Sequence, residues 1–181
     1  MTILDIDQAR KLIASARSPR MKCILHVALL GLRRGELLSL RWSNVDLERA
    51  ELRVERSLTY ISNPETGYCE YVETEPQTKA GRRVINLPRF VVDALREYRR
   101  YQLTRYARSS QWQDKDLVFS TDDGGFVQPQ HLYEYFKALV KKAGLPDMRF
   151  HDLRHSAISI VTLTLFYAYG KARSVACASF F

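Results

Sequence analysis

Apolar residues recur at helical spacing from the start of the chain, first at Ile6, Ala9, Leu12, Ile13 and Ala16, then more cleanly at Met21, Ile24, Leu25, Ala28, Leu29 and Leu32. A period of three to four residues puts such positions on one face, so two amphipathic helices open the chain. Glu36 to Leu40 reads as a short third helix. After Asn44-Val-Asp46 the period drops to two, with Leu52 and Val54 alternating with charged residues, and helix gives way to strand. A second extended run, Tyr71 to Glu75, is joined to a third, Arg83 to Leu87, through Gln77-Thr-Lys-Ala-Gly81, whose glycine frees the turn. The expected product is a small antiparallel three-stranded sheet with a hairpin.

Pro88 closes that sheet, and Val91, Ala94, Leu95 and Tyr98 start a helix that continues towards Tyr106. Asp116 to Phe119 reads as a short strand and Asp122-Asp-Gly-Gly125 as a turn. Leu132, Phe136, Leu139, Val140 and Ala143 mark one more helix, stopped by Gly144 with Pro146 beyond it. Asn63 to Gly67 is a loop between strands rather than a domain boundary, and no internal repeat is visible. The fold class that follows is α+β, mostly α: a helical bundle carrying a small antiparallel sheet.

Composition narrows the function. The 181 residues are 46% hydrophobic, enough for one core, and Lys and Arg outnumber Asp and Glu by 28 to 20, for a net charge of +8. That balance suits a protein that meets a polyanion, with DNA or RNA first among partners, although many basic proteins bind neither. RNA is disfavoured because no strand shows the interleaved aromatics of a base-stacking surface. Three scattered cysteines propose neither a disulfide framework nor a zinc cluster and fit a reducing cytosol. The start has no basic segment followed by an apolar run, and the longest apolar stretch, Ala157 to Tyr169, falls short of a membrane span. A cytoplasmic protein without a membrane partner is expected.

Three cation-rich places stand out: Gly31-Leu-Arg-Arg-Gly-Glu-Leu37, Thr78-Lys-Ala-Gly-Arg-Arg83 and His151-Asp-Leu-Arg-His155. In the first, Arg33 and Arg34 lie where one helix ends and another begins, a place that suits a phosphate. Two solvated arginines, one of them paired with Glu36, would give the same pattern. In the second, Lys79 stands at a hairpin tip and Arg82 and Arg83 are placed to hold neighbouring phosphates; basic residues guarding an edge strand would look alike. In the third, His151 and Arg154 are three apart on one helical face, where both would meet one ligand.

Taken in this order, the segments resemble the tyrosine recombinase (phage integrase) family. Ala28-Leu-Leu-Gly-Leu-Arg-Arg-Gly-Glu-Leu-Leu-Ser-Leu-Arg-Trp42 is similar to the family's first arginine box, with Arg33 at the catalytic position. Lys79 matches the hairpin lysine, and Phe150-His-Asp-Leu-Arg-His-Ser156 resembles the box that carries the histidine and second arginine. The resemblance implies metal-free, cofactor-free phosphoryl transfer on double-stranded DNA, in which a tyrosine forms a 3′-phosphotyrosyl link and protomers meet in a synaptic complex. It assigns Arg33 and Arg154 to the non-bridging oxygens, Lys79 to protonating the leaving 5′ oxygen, and His151 to proton transfer or phosphate holding. Glu36 is expected to orient an arginine, with Arg34, Arg82 and Arg83 on the DNA backbone.

Residues 1–157 are expected to form an incomplete catalytic domain and residues 158–181 an atypical tail of small residues. Family members carry the nucleophile on a helix some thirty residues or more beyond the second arginine; here only Tyr167 and Tyr169 follow Arg154. One helix would carry them more than about 20 Å from His151 at about 1.5 Å per residue, so the nucleophile stays unassigned. The expectation is a recombinase catalytic domain inactive alone; the alternative is a non-catalytic basic module that binds DNA.

Overall fold

In the computed structural model, residues 3–62, 69–75, 82–108, 110 and 112–156 are described. Helix α1 (Ile6–Ser15) starts at a reciprocal cap: Asp5 accepts from the Gln8 amide at 2.7 Å while the Gln8 side chain accepts from the Asp5 amide at 3.1 Å. Helix α2 (Pro19–Ala28) is capped by Ser18 and opens on a proline, whose missing N–H is no loss in a first turn. After α2 the chain turns at Gly31, with φ of 86°, into the five-residue helix α3 (Arg34–Leu38). This helix lies two residues earlier than the apolar pattern suggests, because Glu36 reaches back to cap the Arg33 amide and fixes its start.

A 3₁₀ turn (Trp42–Asn44) leads into β1 (Val45–Asp46) and β2 (Glu51–Val54). The next strands are β3 (Ser57–Ser62), β4 (Cys69–Thr74) and β5 (Arg83–Asn86). A three-stranded antiparallel sheet exists, ordered β1-β2-β5, while β3 and β4 pair separately as a ribbon. The Tyr71 to Glu75 run therefore does not pair with Arg83 to Leu87 as expected. Its partner is Ser57 to Ser62, with Thr59 opposite Val72, and β5 pairs with β2 instead, Arg53 opposite Val84. The β-branched, alternating Leu58-Thr-Tyr-Ile61 is a strand in its own right and the nearest antiparallel neighbour for β4.

Helix α4 (Arg89–Tyr106) follows Pro88, and α5 (Pro129–Lys142) follows a long excursion. Between them, Asp116 to Phe119 forms no strand; only isolated bridges tie Leu117 to Arg41 and Ser120 to Phe126. Gly144, with φ of 63°, ends α5 in a Schellman motif: the Leu145 amide donates to Val140 and the Gly144 amide to Lys141, both at 3.1 Å. The core joins α2, α4 and α5 through Leu25, Val91, Leu95, Phe119 and Phe136, all sealed from solvent. Leu153 and Ser156, on the short helix of residues 152–156, are sealed too, and the Ser156 hydroxyl accepts from the Leu4 amide at 2.9 Å. The first and last described segments are thus tied together beside the bundle.

Candidate active site

Arg33 is the N-cap of α3, and its backbone conformation there (φ −70°, ψ 151°) lets Glu36 fold back onto it. The Glu36 carboxylate accepts from the Arg33 amide at 2.8 Å and from Arg33 Nη1 at 3.0 Å. It also accepts both arms of the Arg83 guanidinium, Nη1 at 3.0 Å and Nη2 at 2.7 Å. The pairing is a bidentate fork from the first residue of β5 onto the middle of α3. Glu36 is only 4% exposed, so a carboxylate that burial alone would disfavour is held ionised. Burial pushes its pKa up, but the hydrogen bonds from Arg83 and Arg33 and the Arg83 charge outweigh that and leave it below the ordinary value.

Gly35 explains how α3 comes so close to the ribbon. A Cβ there would stand 2.5 Å from the Leu58 carbonyl oxygen and 2.5 Å from the Ser57 hydroxyl, inside van der Waals contact. Only a hydrogen side chain lets α3 lie against β3 with Arg33 turned out at its start.

The third box arrives from the opposite end of the chain. Asp152, buried, accepts from the Arg149 amide at 2.9 Å and from the Arg149 guanidinium at 3.3 Å. Burial opposes its charge, yet these bonds and the Arg149 charge keep its pKa below the ordinary value. The turn so anchored closes with the Arg154 amide donating to the His151 carbonyl at 3.1 Å. His151 is exposed and sits edge-on to His155, with ring centres 5.3 Å apart.

Arg154 lies within electrostatic reach of Arg33, Glu36 and Arg83. Burial first, then the charges of Arg33 and Arg83, lower its pKa, and Glu36 partly restores it. Its Nη1 is buried without a hydrogen-bond partner. Two guanidinium groups therefore hold one carboxylate and a third lies near it, an excess of two positive charges. A doubly charged or bidentate anion would suit such a constellation, because each unpaired buried N–H costs free energy until an acceptor fills it.

Arg33, Glu36, Arg83 and Arg154 are brought together, with His151 on the turn that carries Arg154. Arg34 is exposed and makes no ion pair among the described residues. Arg82 pairs with Glu75 across the base of the segment that bears Lys79. Lys79, Tyr167 and Tyr169 lie outside the described residues. Among the described residues no group of three His, Cys, Asp or Glu could hold a metal ion, and no helix is long and apolar enough to cross a membrane. Sequence reasoning missed the Arg83–Glu36 fork, the Asp152–Arg149 anchor and Gly35. The Glu three residues after Arg33 and the Asp three residues after Arg149 were visible local capping signals; the Arg83–Glu36 fork and the Gly35 contact span folds of the chain and had none.

An α+β bundle with two arginine boxes converging beside a small sheet defines a tyrosine recombinase catalytic domain. The description of the phage integrase family matches residues 2–162, and the chain belongs to that family. It is 30% identical over 158 residues to a tyrosine recombinase XerC-like protein of Caldanaerobacter subterraneus subsp. tengcongensis, covering 83% of this chain and 40% of that protein. It is 28% identical over 161 residues to a putative prophage phiRv2 integrase of Mycobacterium tuberculosis, covering 88% of this chain and again 40% of the relative. Among solved structures, XerA recombinase superposes with a TM-score of 0.66 at 26% identity, over 87% of this chain and 48% of that one. The Tn1549 transposon integrase in complex with transposon right end DNA gives 0.68 at 20% identity, over 86% and 51%, a likeness of fold. The chain thus spans about two-fifths of the curated relatives and half of the solved ones.

Proposed function

We propose that this chain supplies the phosphate-gripping part of a site-specific DNA recombinase, cutting and rejoining DNA strands through a 3′-phosphotyrosyl link. The observation that carries the reading is Arg154 Nη1, buried and unpaired, on a guanidinium within electrostatic reach of a cluster that already holds Arg33 and Arg83 around a single carboxylate. The ligand that balances it is a phosphodiester of double-stranded DNA, whose two non-bridging oxygens match planar guanidinium forks. In the reaction a tyrosine oxygen bonds to phosphorus as the bond to the 5′ oxygen breaks. Arg33 and Arg154 neutralise charge that builds on the non-bridging oxygens, Lys79 gives the leaving oxygen its proton, and His151 assists proton transfer at the rim. Arg34 and Arg82 hold flanking phosphates. Glu36 orients Arg33. The protein works in the cytoplasm, with protomers meeting in a synaptic complex on DNA.

The test is binding of a labelled short duplex to the full chain at low salt, with R33A and R154A set against R100A on exposed α4. Loss of a charged hydrogen-bond pair weakens binding roughly tenfold, while R100A changes it about twofold. Equal losses in all three variants would mean that only net charge holds DNA and that the arginine pocket is not a phosphate site. Incubation with nicked duplex tests the chemistry separately. A denaturant-resistant adduct lost on Y167F or Y169F assigns the nucleophile to the tail.

A further inference from the structure

At the far end of α2 from Arg33, a cavity of about 140 Å³ opens between the start of α2, the middle of α4 and the 120–122 segment. A void of that size takes one benzene-sized ring. Tyr98, only 3% exposed, forms its floor, with its ring stacked on Phe119 at 5.7 Å. The Tyr98 hydroxyl makes no hydrogen bond among the described residues and is not one of their buried unpaired polar atoms, so its donor is open to water or a ligand. Burial above all pushes its pKa up, so it remains a protonated donor.

Two arginines edge the cavity. Arg20 donates from Nη1 to the Ser120 carbonyl at 2.7 Å, and the same atom lies 3.9 Å from Asp122. Arg105 reaches Asp122 at 2.6 Å. Asp122 is the anion they share, yet its side chain is 72% exposed on a turn, and one carboxylate against two guanidinium groups leaves one positive charge over. Trp112 supplies an aromatic wall.

We propose that this cavity binds a small aromatic carboxylate, with its ring between Tyr98 and Trp112 and its carboxylate accepting from Arg20, Arg105 and the Tyr98 hydroxyl. A ring stacks on the aromatic part of a lining that is otherwise mostly polar, and a single negative charge balances the surplus cation. The site uses none of the residues that grip DNA, so it stands or falls apart from the proposed function.

Benzoate titrated into the full chain, read by the tryptophan fluorescence that Trp112 contributes, tests this. The expected result is a saturable change with a dissociation constant on the order of 1 mM, as suits so few atoms. Affinity falls roughly tenfold in R105A and several-fold in Y98F, which keeps the ring and its packing. W112F abolishes the signal, and calorimetry on that variant still detects the ligand. Benzyl alcohol, a ring without charge, and inorganic phosphate, charge without a ring, each bind at least tenfold more weakly. The proposal is overturned if benzoate gives no saturable signal, if R105A and Y98F bind it as the natural chain does, or if phosphate matches it.

Discussion

Glu36 is the residue on which the site's geometry turns, because it is the only carboxylate among the described residues that the Arg33 and Arg83 guanidinium groups share. Replacing it by alanine leaves two cations facing each other and Arg154. Breaking a buried ion pair from one side costs about 3 kcal/mol, and most of that here belongs to Arg83, since the Arg33 side chain is 60% exposed and screened. A chemical denaturation curve of E36A should show that loss, and E36Q, which keeps the shape and one acceptor oxygen, should lose less. The pH dependence has a fixed sign. A carboxylate whose folded pKa lies below its ordinary 4.5 contributes stability that is complete above that pH and disappears as pH falls through the depressed value. Wild type should therefore lose stability relative to E36Q only under acid conditions; a difference between the two that is constant across that range would show that the carboxylate carries no such linkage.

At the scale of elements, the contact between α3 and β3 decides where Arg33 points. G35A adds a methyl where backbone and hydroxyl oxygens stand at 2.5 Å, and forcing α3 off the ribbon should cost about 1–3 kcal/mol. The urea midpoint of G35A measures it, and an unchanged midpoint would show that the two elements do not meet this closely. Helices α1, α2, α4 and α5 were legible in the sequence because each has a long apolar stripe with a cap, a proline or a glycine at its ends. The strands were legible as strands but not as partners. Period-two alternation fixes which face a residue takes, and nothing in Tyr71 to Glu75 tells whether its neighbour is Ser57 to Ser62 or Arg83 to Asn86. The arginine and histidine boxes were readable as a candidate site only through their order along the chain. Arg83 reaches Glu36 because β5 lies beside β2, a long-range pairing no local pattern encodes.

For the whole molecule, the question is whether the +8 charge or the pocket governs binding to DNA. Net charge attracts a polyanion from any direction, and its effect fades beyond roughly 10 Å at moderate salt. A pocket that neutralises particular phosphates instead releases a fixed number of counterions, so the slope of log affinity against log salt counts them. If the scissile phosphate held by Arg33, Arg154 and Lys79 and the flanking phosphates on Arg34 and Arg82 are the three neutralised, the slope should be about −3, and affinity should fall roughly fiftyfold between about 50 and 200 mM salt. Removing a cation that holds a phosphate by itself should then make the slope shallower by about one, as R34A or R82A would in the same titration. A slope near −3 in the natural chain with no loss of affinity in R154A would place the phosphates elsewhere on the basic surface. In that case the buried guanidinium would serve the fold and not the DNA.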